Sequence, residues 1–232
     1  MSEELKKFIK KVEMIADKIG KRPFQTLDIV IDFYADILKK GETKVEYKEY
    51  QFEIAKCGEE LTSMLLNNPF KDMLGRAREE LGSTNKKYGQ FYTPTSISNS
   101  VYALIDLEKN GESKSFSDIC CGTGSLNLPL MQHRENTDDY FLFVDKDEIA
   151  LQALVLHIFS GYKKTCKDLP FIEIICGDGL FLDEGHEIIF SNTKRHKFDI
   201  PIIRKYGLYK EEIKNWDLMK MPISDVFLKK DY

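Results

Sequence analysis

The sequence contains no long apolar run, which argues against a chain that spans a membrane. No stretch of about 18 apolar residues occurs, and the segment from Met1 to Lys7 is charged and lacks the apolar core of a signal peptide. Apolar residues make up 42% and charged residues 31% of the 232 positions, as in ordinary globular domains. We therefore expect a cytoplasmic chain with one domain, or one domain plus a helical extension.

Zinc ligands are scarce. The chain has 5 cysteines and 4 histidines, and no two cysteines have the CxxC spacing of a structural zinc site. The odd number of cysteines and their apolar neighbours predict buried thiols in a reducing compartment. A nucleophilic role for Cys120 or Cys121 would need a nearby base, which the sequence does not show, so packing is the favoured interpretation. No metal site is expected.

Basic residues are not in excess, since the formal net charge is -4. This balance argues against a protein that coats nucleic acid through bulk electrostatics. Three short basic segments occur at 86–87, 194–197 and 229–230, and each is typical of a solvated surface. Charge alone neither supports nor excludes DNA as a partner.

Helical spacing dominates the chain up to about Gly82. Apolar residues recur every three to four positions, and Gly20, Pro23 and Gly41 divide the pattern into separate helices. Further helices are predicted over 47–66 and 72–81. We assign residues 1–86 to an all-α N-terminal region and residues 87–232 to a second, α/β domain.

The periodicity changes after a predicted helix over 96–107. Short apolar runs at 116–120, 140–144 and 171–176 alternate with helical stretches at 124–133 and 148–162. This alternation predicts a parallel sheet with right-handed crossovers, and hence a Rossmann-like α/β core. A ligand is expected at the carboxyl edge of such a sheet.

A glycine turn and three aspartates fall at the ends of the predicted strands. Gly122 and Gly124 permit a tight turn whose backbone N–H groups can approach a charged ligand, followed by a helix. Asp118 closes the first predicted strand. Asp145 closes the second, about 20 residues after the glycine turn, where a carboxylate can accept hydrogen bonds from ribose hydroxyls. Asp178 closes the third, where a carboxylate can accept a hydrogen bond from an adenine amino group. Each aspartate alone is typical of a cap or turn, whereas their ordered combination indicates a nucleotide-like cofactor.

The segment Gly89-Gln90-Phe91-Tyr92-Thr93-Pro94 lies upstream of this turn. Pro94 stiffens the entry into the next helix, the Thr93 hydroxyl lies near a helix N-terminus that favours a carboxylate, and Phe91 and Tyr92 offer apolar walls. The alternative is a helix start with Thr93 or Thr95 as its cap and two core aromatics. Together with the glycine turn and the aspartates, the segment suggests a site for S-adenosylmethionine.

These segments resemble motifs of the adenine-N6 DNA methyltransferases. GQFYTP at 89–94, DICCGTG at 118–124, VDKDE at 144–148 and CGDGL at 176–180 are similar to motifs X, I, II and III, in the order found in modification subunits of type I restriction systems. Asp72-Met73-Leu74-Gly75 resembles the segment that precedes motif X there. The resemblance covers about residues 60 to 185.

The resemblance implies a methyltransferase core that binds S-adenosylmethionine and acts on DNA. It implies that Thr93 and Pro94 lie by the methionine moiety, Asp118 and the glycine turn by its amino acid part, Asp145 at the ribose and Asp178 at the adenine. The predicted cofactor-binding residues are Phe91, Tyr92, Thr93, Pro94, Asp118, Cys120, Gly122, Thr123, Gly124, Asp145, Lys146, Asp178 and Gly179.

The catalytic motif of that family is missing. An Asn-Pro-Pro-Tyr or Asn-Pro-Pro-Phe sequence should follow Lys197 to Ile200, where the chain instead reads Pro201-Ile202-Ile203-Arg204. Asn67-Asn68-Pro69-Phe70 is similar in letters only, and its place after a predicted helix indicates a linker turn. No catalytic residue is assigned. Short helical proteins with motifs X and I but no catalytic motif resemble methylase-like proteins of phages and mobile elements.

Only 54 residues follow Asp178, so we expect a truncated parallel sheet with an open edge. A helix over 210–219 would cover this edge, or a second subunit would. That subunit would be a further copy of this chain or a partner methylase or restriction subunit. Three functions remain open: an adenine-specific DNA methyltransferase acting alone or with a partner; a non-catalytic module that binds the cofactor or a partner; and a methyltransferase for RNA, protein or a small molecule.

Overall fold

The computed structural model describes residues 1–41, 44–82, 93–105, 113–180 and 186–193. The helices are α1 (Glu3–Ile19), α2 (Pro23–Lys40), a one-turn 3-10 helix (Val45–Tyr47), α3 (Gln51–Ala55), α4 (Gly58–Asn67), α5 (Met73–Glu80), α6 (Thr95–Ile105), α7 (Leu128–His133) and α8 (Glu148–Thr165). The strands are β1 (Ser115–Asp118), β2 (Tyr140–Asp145), β3 (Phe171–Cys176) and β4 (Glu187–Ser191).

The first helix shows how local sequence sets the N-terminal region. The Ser2 hydroxyl oxygen caps α1 by accepting the Leu5 N–H at 3.3 Å. Buried apolar side chains follow on one face, and Gly20 ends the helix in the left-handed conformation at φ +67°. Helices α1, α2, α4 and α5 then pack into one apolar core, which confirms the predicted all-α region.

The single helix predicted over 47–66 is wrong, because the chain breaks between α3 and α4. The Tyr34 hydroxyl lies within hydrogen-bond distance of the carbonyls of Ile54, at 3.4 Å, and Ala55, at 3.2 Å. In a continuous helix those carbonyls would accept the amides of residues 58 and 59. Gly58 restarts the helix where a Cβ would lie 2.4 Å from the Tyr34 oxygen. A tertiary contact therefore overrides the local helical pattern.

The sheet has the predicted α/β architecture. Its order is β1-β2-β3-β4, with β1, β2 and β3 parallel and β4 antiparallel to β3. Within the ranges that the structure describes, β1 forms one edge of the sheet. The sequence did not predict β4, whose end is fixed by side chains: the Asn192 amide oxygen accepts the Ile172 N–H at 2.7 Å, and Thr193 donates to buried Glu173 at 2.6 Å.

Helix α8 joins the two halves of the molecule. It is buried along most of its length, with Ala153 and Leu156 in the helical core and Leu154, Val155 and Ile158 in the core beneath the sheet. The helical region therefore packs directly on the α/β unit. The predicted domain boundary at residue 86 lies outside the described residues and stays a prediction.

No helix in the described ranges is both long enough and apolar enough to cross a membrane.

Candidate functional site

Three carboxylates meet at one edge of the sheet. Asp118 pairs with Phe143 in the register of β1 and β2, and Asp145 pairs with Cys176 at the ends of β2 and β3. Because these strands are parallel, Asp118, Asp145 and Asp178 follow strand ends on the same side. The predicted convergence of these aspartates is therefore present in the fold.

The two glycines of the turn have different neighbours. Gly122 has φ +53°, and a Cβ built there would meet nothing within 4 Å. Gly124 has φ +86°, and its Cβ would lie 2.3 Å from Cδ1 of Leu154 on α8. Gly122 thus leaves the turn open for close approach by a ligand, whereas Gly124 lets the turn pack on α8.

The helix expected to start at Gly124 begins only at Leu128. Gly124 to Asn127 form turns, in which the Gly124 carbonyl accepts the N–H of both Asn127 and Leu128 at 3.0 Å. Pro129 has no N–H to give to the Ser125 carbonyl, so the helical ladder cannot extend upstream through that position. Asn127 instead donates its side-chain amide to Asp118 at 2.5 Å.

The backbone amides of the turn mostly bond within the protein. Gly122 donates to Asp145 Oδ2 at 2.7 Å, Cys121 to the Val144 carbonyl at 3.1 Å, Cys120 to Asp118 Oδ1 at 3.1 Å and Gly124 to the Cys121 carbonyl at 2.9 Å. The expectation that these N–H groups face a charged ligand is wrong for these four. The amides of Cys121 and Gly122 attach the turn to the end of β2, whereas those of Cys120 and Gly124 bond to Asp118 and to the turn itself.

Asp145 is the centre of this arrangement. One oxygen accepts the Gly122 N–H at 2.7 Å, and the other accepts the Asp147 N–H at 2.9 Å. A carboxylate oxygen has two acceptor sites, so each retains one for a hydroxyl donor such as a ribose. Asp145 therefore connects the glycine turn to the segment after β2 and keeps acceptor capacity at the strand ends.

Asp178 lies beside Lys146, another predicted cofactor residue. The Lys146 ammonium is 2.6 Å from Asp178 Oδ2, and the Leu180 N–H donates to Asp178 Oδ1 at 3.0 Å. Gly179 packs on the loop after β1, where a Cβ would lie 2.2 Å from the Ile119 carbonyl oxygen. The loops that follow β1 and β3 thus approach each other closely.

The motif X segment reaches the glycine turn through Ser125. The Ser125 hydroxyl donates to the Thr93 carbonyl at 2.9 Å and lies 3.4 Å from the Ser98 hydroxyl of α6. Thr93 is half-buried and Pro94 is exposed. Phe91 and Tyr92 fall outside the described residues. The structure therefore brings Thr93 and Pro94 to the same turn as Gly122 and Gly124.

The Thr123 side chain points away from the open face of the turn. It is 2% exposed, and its hydroxyl donates to Asp72 Oδ2 at 2.7 Å. His157 Nδ1 lies 3.3 Å from the Thr123 carbonyl, and its Nε2 accepts the Leu74 N–H at 3.1 Å. Because Nε2 is an acceptor, the ring proton is on Nδ1 and the imidazole is neutral.

Burial lowers the pKa of His157, and the nearby Asp72 carboxylate and the Thr123 carbonyl oppose that shift in part. Sequence reasoning missed this histidine. It is one of three buried polar residues of α8, with Gln152 and Ser160, among many apolar ones, and in the sequence it resembles a core histidine of any fold.

The cysteines differ in exposure. Cys57 and Cys121 are buried, and burial raises the pKa of the Cys57 thiol to about 12 and that of Cys121 well above its usual value. Cys121 is therefore a packing residue, as predicted. The expectation of burial is wrong for Cys120 and Cys166, which are exposed because each occupies a turn.

The Asn-Asn-Pro-Phe sequence forms the turn after α4. The Asn68 side-chain amide donates to the Met64 carbonyl at 2.9 Å. Phe70 is 2% exposed, and its ring packs edge-on to Tyr162 at 5.1 Å between centroids. A buried phenyl ring cannot stack on an extruded base, so this segment is structural, in agreement with the predicted linker turn.

Comparisons with known proteins found one family match, over part of the chain. Residues 70–156 match the sequence profile of the N-6 DNA methylases. A search of curated proteins gave no match. Among solved structures, one from Listeria monocytogenes assigned as a class I S-adenosylmethionine-dependent methyltransferase is similar, with 15% identity and a TM-score of 0.43. The match covers 78% of this chain and 55% of that one, so the chain spans about half of that protein's length.

Proposed function

We propose that this chain, whose residues 70–156 carry the N-6 DNA methylase pattern, binds S-adenosylmethionine at the glycine turn and serves methyl transfer to adenine in DNA, alone or with a partner chain. The observation that carries the proposal is the chemistry of the strand ends. Carboxylates converge there, while the amides at residues 120–122 and 124 are bonded within the protein.

This chemistry favours a cationic ligand over a phosphate. Dinucleotide sites hold their pyrophosphate with free backbone N–H groups at a helix N-terminus. Here the helix begins at Leu128, beyond the turn, and Asp118 and Asp145 flank the turn instead. S-adenosylmethionine carries a sulfonium and an ammonium group but no phosphate. Its positive charges suit an edge lined by carboxylates.

The residues present fit the parts of this cofactor. The open face of Gly122 allows close approach without a Cβ. Asp145 retains acceptor sites for two ribose hydroxyls, and Asp178 stands at the next strand end for an adenine amino group. Asp118 is the carboxylate for the cofactor's ammonium group. When bound, S-adenosylmethionine supplies an electrophilic methyl group on sulfur, and the chain's role is to hold that methyl in line with the acceptor.

A non-catalytic module is the second candidate, and one observation favours it. The Asn-Asn-Pro-Phe segment is fixed in the core by Phe70, and the sequence contains no Asn-Pro-Pro. Such a module would bind the cofactor and pair with a methylase or restriction subunit. Size-exclusion chromatography with light scattering, alone and with products of neighbouring genes, tests the module, since a strict monomer without a partner contradicts it.

Titration calorimetry tests the cofactor site. We expect S-adenosylmethionine and S-adenosylhomocysteine to bind, and ATP and NAD not to bind. Asp145→Ala should abolish cofactor binding. The matched control is Asp138→Ala, which removes an exposed carboxylate from the loop before β2. Equal binding of ATP, or wild-type affinity in Asp145→Ala, would contradict the proposed site.

A radiolabelled methyl-transfer assay tests the reaction. Mixed DNA, RNA and protein substrates are offered in parallel, with and without the candidate partner. Label on adenine N6 in DNA supports the adenine methyltransferase. Binding of the cofactor without transfer to any substrate in any combination would leave only the non-catalytic module.

A further inference from the structure

Helix α5 contacts the glycine turn from behind, through a partly buried aspartate. Asp72 precedes α5 and caps it, since its Oδ1 accepts the Gly75 N–H at 2.8 Å. Its Oδ2 accepts the Thr123 hydroxyl at 2.7 Å. One carboxylate therefore fixes both the start of a helix in the N-terminal region and the middle of the turn between Gly122 and Gly124.

His157 ties the same two segments together from α8. Its ring bridges the Thr123 carbonyl at 3.3 Å and the Leu74 N–H at 3.1 Å, and the side chain is 1% exposed. Thr123 is thus held at its hydroxyl by Asp72 and at its carbonyl by His157. Hydrogen bonds of this kind are directional, so two of them at one residue restrict the turn to one conformation.

Gly75 leaves room for this contact. A Cβ at residue 75 would lie 2.3 Å from Asp72 Oδ2 and 2.6 Å from the Thr123 hydroxyl oxygen. The approach of α5 to the turn is therefore closer than any side chain at position 75 would permit.

A second contact runs from α5 to the end of β2. Arg78 is 3% exposed, and its guanidinium lies 2.9 Å from Asp147 Oδ2 and 3.3 Å from Asp28 Oδ1 of α2. Asp147 caps α8 and donates its N–H to Asp145, which in turn accepts the Gly122 N–H. Arg78 therefore supports the carboxylate that faces the proposed ribose site.

We propose that α5 is a brace that sets the geometry of the cofactor site, with Asp72, Arg78 and His157 as positioning residues that never touch the cofactor. The assignment rests on the proposed function for its ligand. The helical N-terminal region then helps to fix the geometry of the binding site without contacting the ligand. Loss of a brace contact lets the turn populate other conformations. The apparent affinity for S-adenosylmethionine then falls in proportion to the fraction of molecules whose turn keeps the binding conformation.

Thr123→Val is the direct test, because valine has nearly the same shape and lacks the hydroxyl. Thr123→Ser restores the hydroxyl and is the rescue variant. Tyr34→Phe is the control, since it also removes a buried hydroxyl from a helical carbonyl contact but lies away from the turn. We expect Thr123→Val to bind S-adenosylmethionine about tenfold more weakly, the equivalent of one hydrogen bond to a charged group. Thr123→Ser and Tyr34→Phe should stay within about twofold of wild type.

Amide hydrogen exchange of the ligand-free full chain gives a readout that does not depend on the cofactor. We expect faster exchange at residues 120–124 in Thr123→Val, unchanged exchange there in Thr123→Ser, and no change at this segment in Tyr34→Phe. If the wild-type chain fails to bind S-adenosylmethionine, the proposed function is wrong. The exchange data then still test whether α5 restricts the conformation of the turn. Unchanged exchange at 120–124 in Thr123→Val, or equal weakening of affinity in Tyr34→Phe, overturns the brace.

Discussion

Alanine substitutions at Gly124 and Gly122 should separate effects on stability from effects on cofactor binding. At Gly124 the backbone has φ +86°, and an added methyl would lie 2.3 Å from Leu154 Cδ1 and 3.6 Å from Leu128 Cγ. At Gly122 the added methyl would enter open space. Gly124→Ala therefore places a methyl in the core, whereas Gly122→Ala places a methyl only on the face proposed for the ligand.

The cost of Gly124→Ala has two parts. A left-handed conformation costs an alanine roughly 1–2 kcal/mol relative to glycine. Forcing a methyl into a packed core adds about 1–3 kcal/mol. We expect the free energy of unfolding to fall by about 2–5 kcal/mol, a large fraction of the stability of an ordinary domain.

Leu154→Ala gives an internal check on the cause. Alone it should cost about 2–5 kcal/mol by leaving a cavity on α8. When it is combined with Gly124→Ala, the new methyl enters that cavity. The loss in unfolding free energy of the double variant should therefore be about 1–2 kcal/mol smaller than the sum of the two single losses. Strict additivity would show that the Leu154 contact is not the source of the effect.

Gly122→Ala has a matched control in Gly20→Ala. Gly20 ends α1 with φ +67°, and its Cβ would also meet nothing within 4 Å. Both variants should lose about 1–2 kcal/mol of stability through backbone strain alone. Only Gly122→Ala should weaken S-adenosylmethionine binding, by roughly tenfold or more, because its methyl occupies the approach to the turn.

Urea unfolding measures the stabilities, and titration calorimetry measures the affinities of the variants that fold. Wild-type affinity in Gly122→Ala would refute the open face as the cofactor surface. A Gly124→Ala variant no less stable than Gly20→Ala would refute the packing role of Gly124.

Three further predictions concern buried polar groups. Burial depresses the pKa of His157 below 6.5 in the folded state, so its contribution to stability is fully present above pH 6.5 and declines as the pH falls toward the folded-state pKa. Between pH 6.5 and 5, urea unfolding should show a loss of up to about 1.4 kcal/mol per pH unit in wild type that His157→Gln lacks; parallel profiles would contradict a buried neutral imidazole. Arg78→Met should cost about 3 kcal/mol in urea unfolding, because it leaves buried Asp147 without its cation, and Arg78→Lys should recover part of it. Tyr140→Phe removes the 2.7 Å bond to buried Glu173 and should lower the unfolding free energy by about 1.5–3 kcal/mol; a loss below about 0.5 kcal/mol would show that Glu173 finds another donor.

The sheet could be predicted because its signals are local. Strands β2 and β3 are short apolar runs, Asp145 ends the first of them and Asp178 lies two residues after the second, so parallel pairing brings these carboxylates together. Strand β1 (Ser115–Asp118) has a single apolar residue, and the strand predicted over 116–120 extends two residues beyond its end. The predicted strands at 140–144 and 171–176 differ from β2 and β3 by at most one residue. Strand β4 was missed although Ile188 to Phe190 is itself a short apolar run. Its place beside β3 involves contacts between residues 20 positions apart, from Asn192 to Ile172 and from Thr193 to Glu173, which no local pattern records.

The brace could not be predicted, because its contacts join residues far apart in the chain. Asp72 and Thr123 are 51 positions apart, and Leu74 and His157 are 83 apart. No local pattern records such pairings. The directions of the turn amides were missed for a similar reason, since Gly122 bonds to Asp145 across 23 positions. Glycine spacing predicts that a turn is tight, but not which atoms satisfy its N–H groups.

The absent catalytic motif and the proposed cofactor site set different requirements. The proposed cofactor site needs carboxylates and an open glycine turn, and residues 118–178 have both at three strand ends. Methyl transfer to an adenine amino group also needs an acceptor for that group's N–H and a surface on which the flipped base can stack. Asn68 donates to a helix carbonyl and Phe70 is buried, so neither meets that need. If the chain methylates DNA, a group outside this segment is the acceptor. Where a partner chain supplies that group, transfer activity should depend on the partner while cofactor affinity does not.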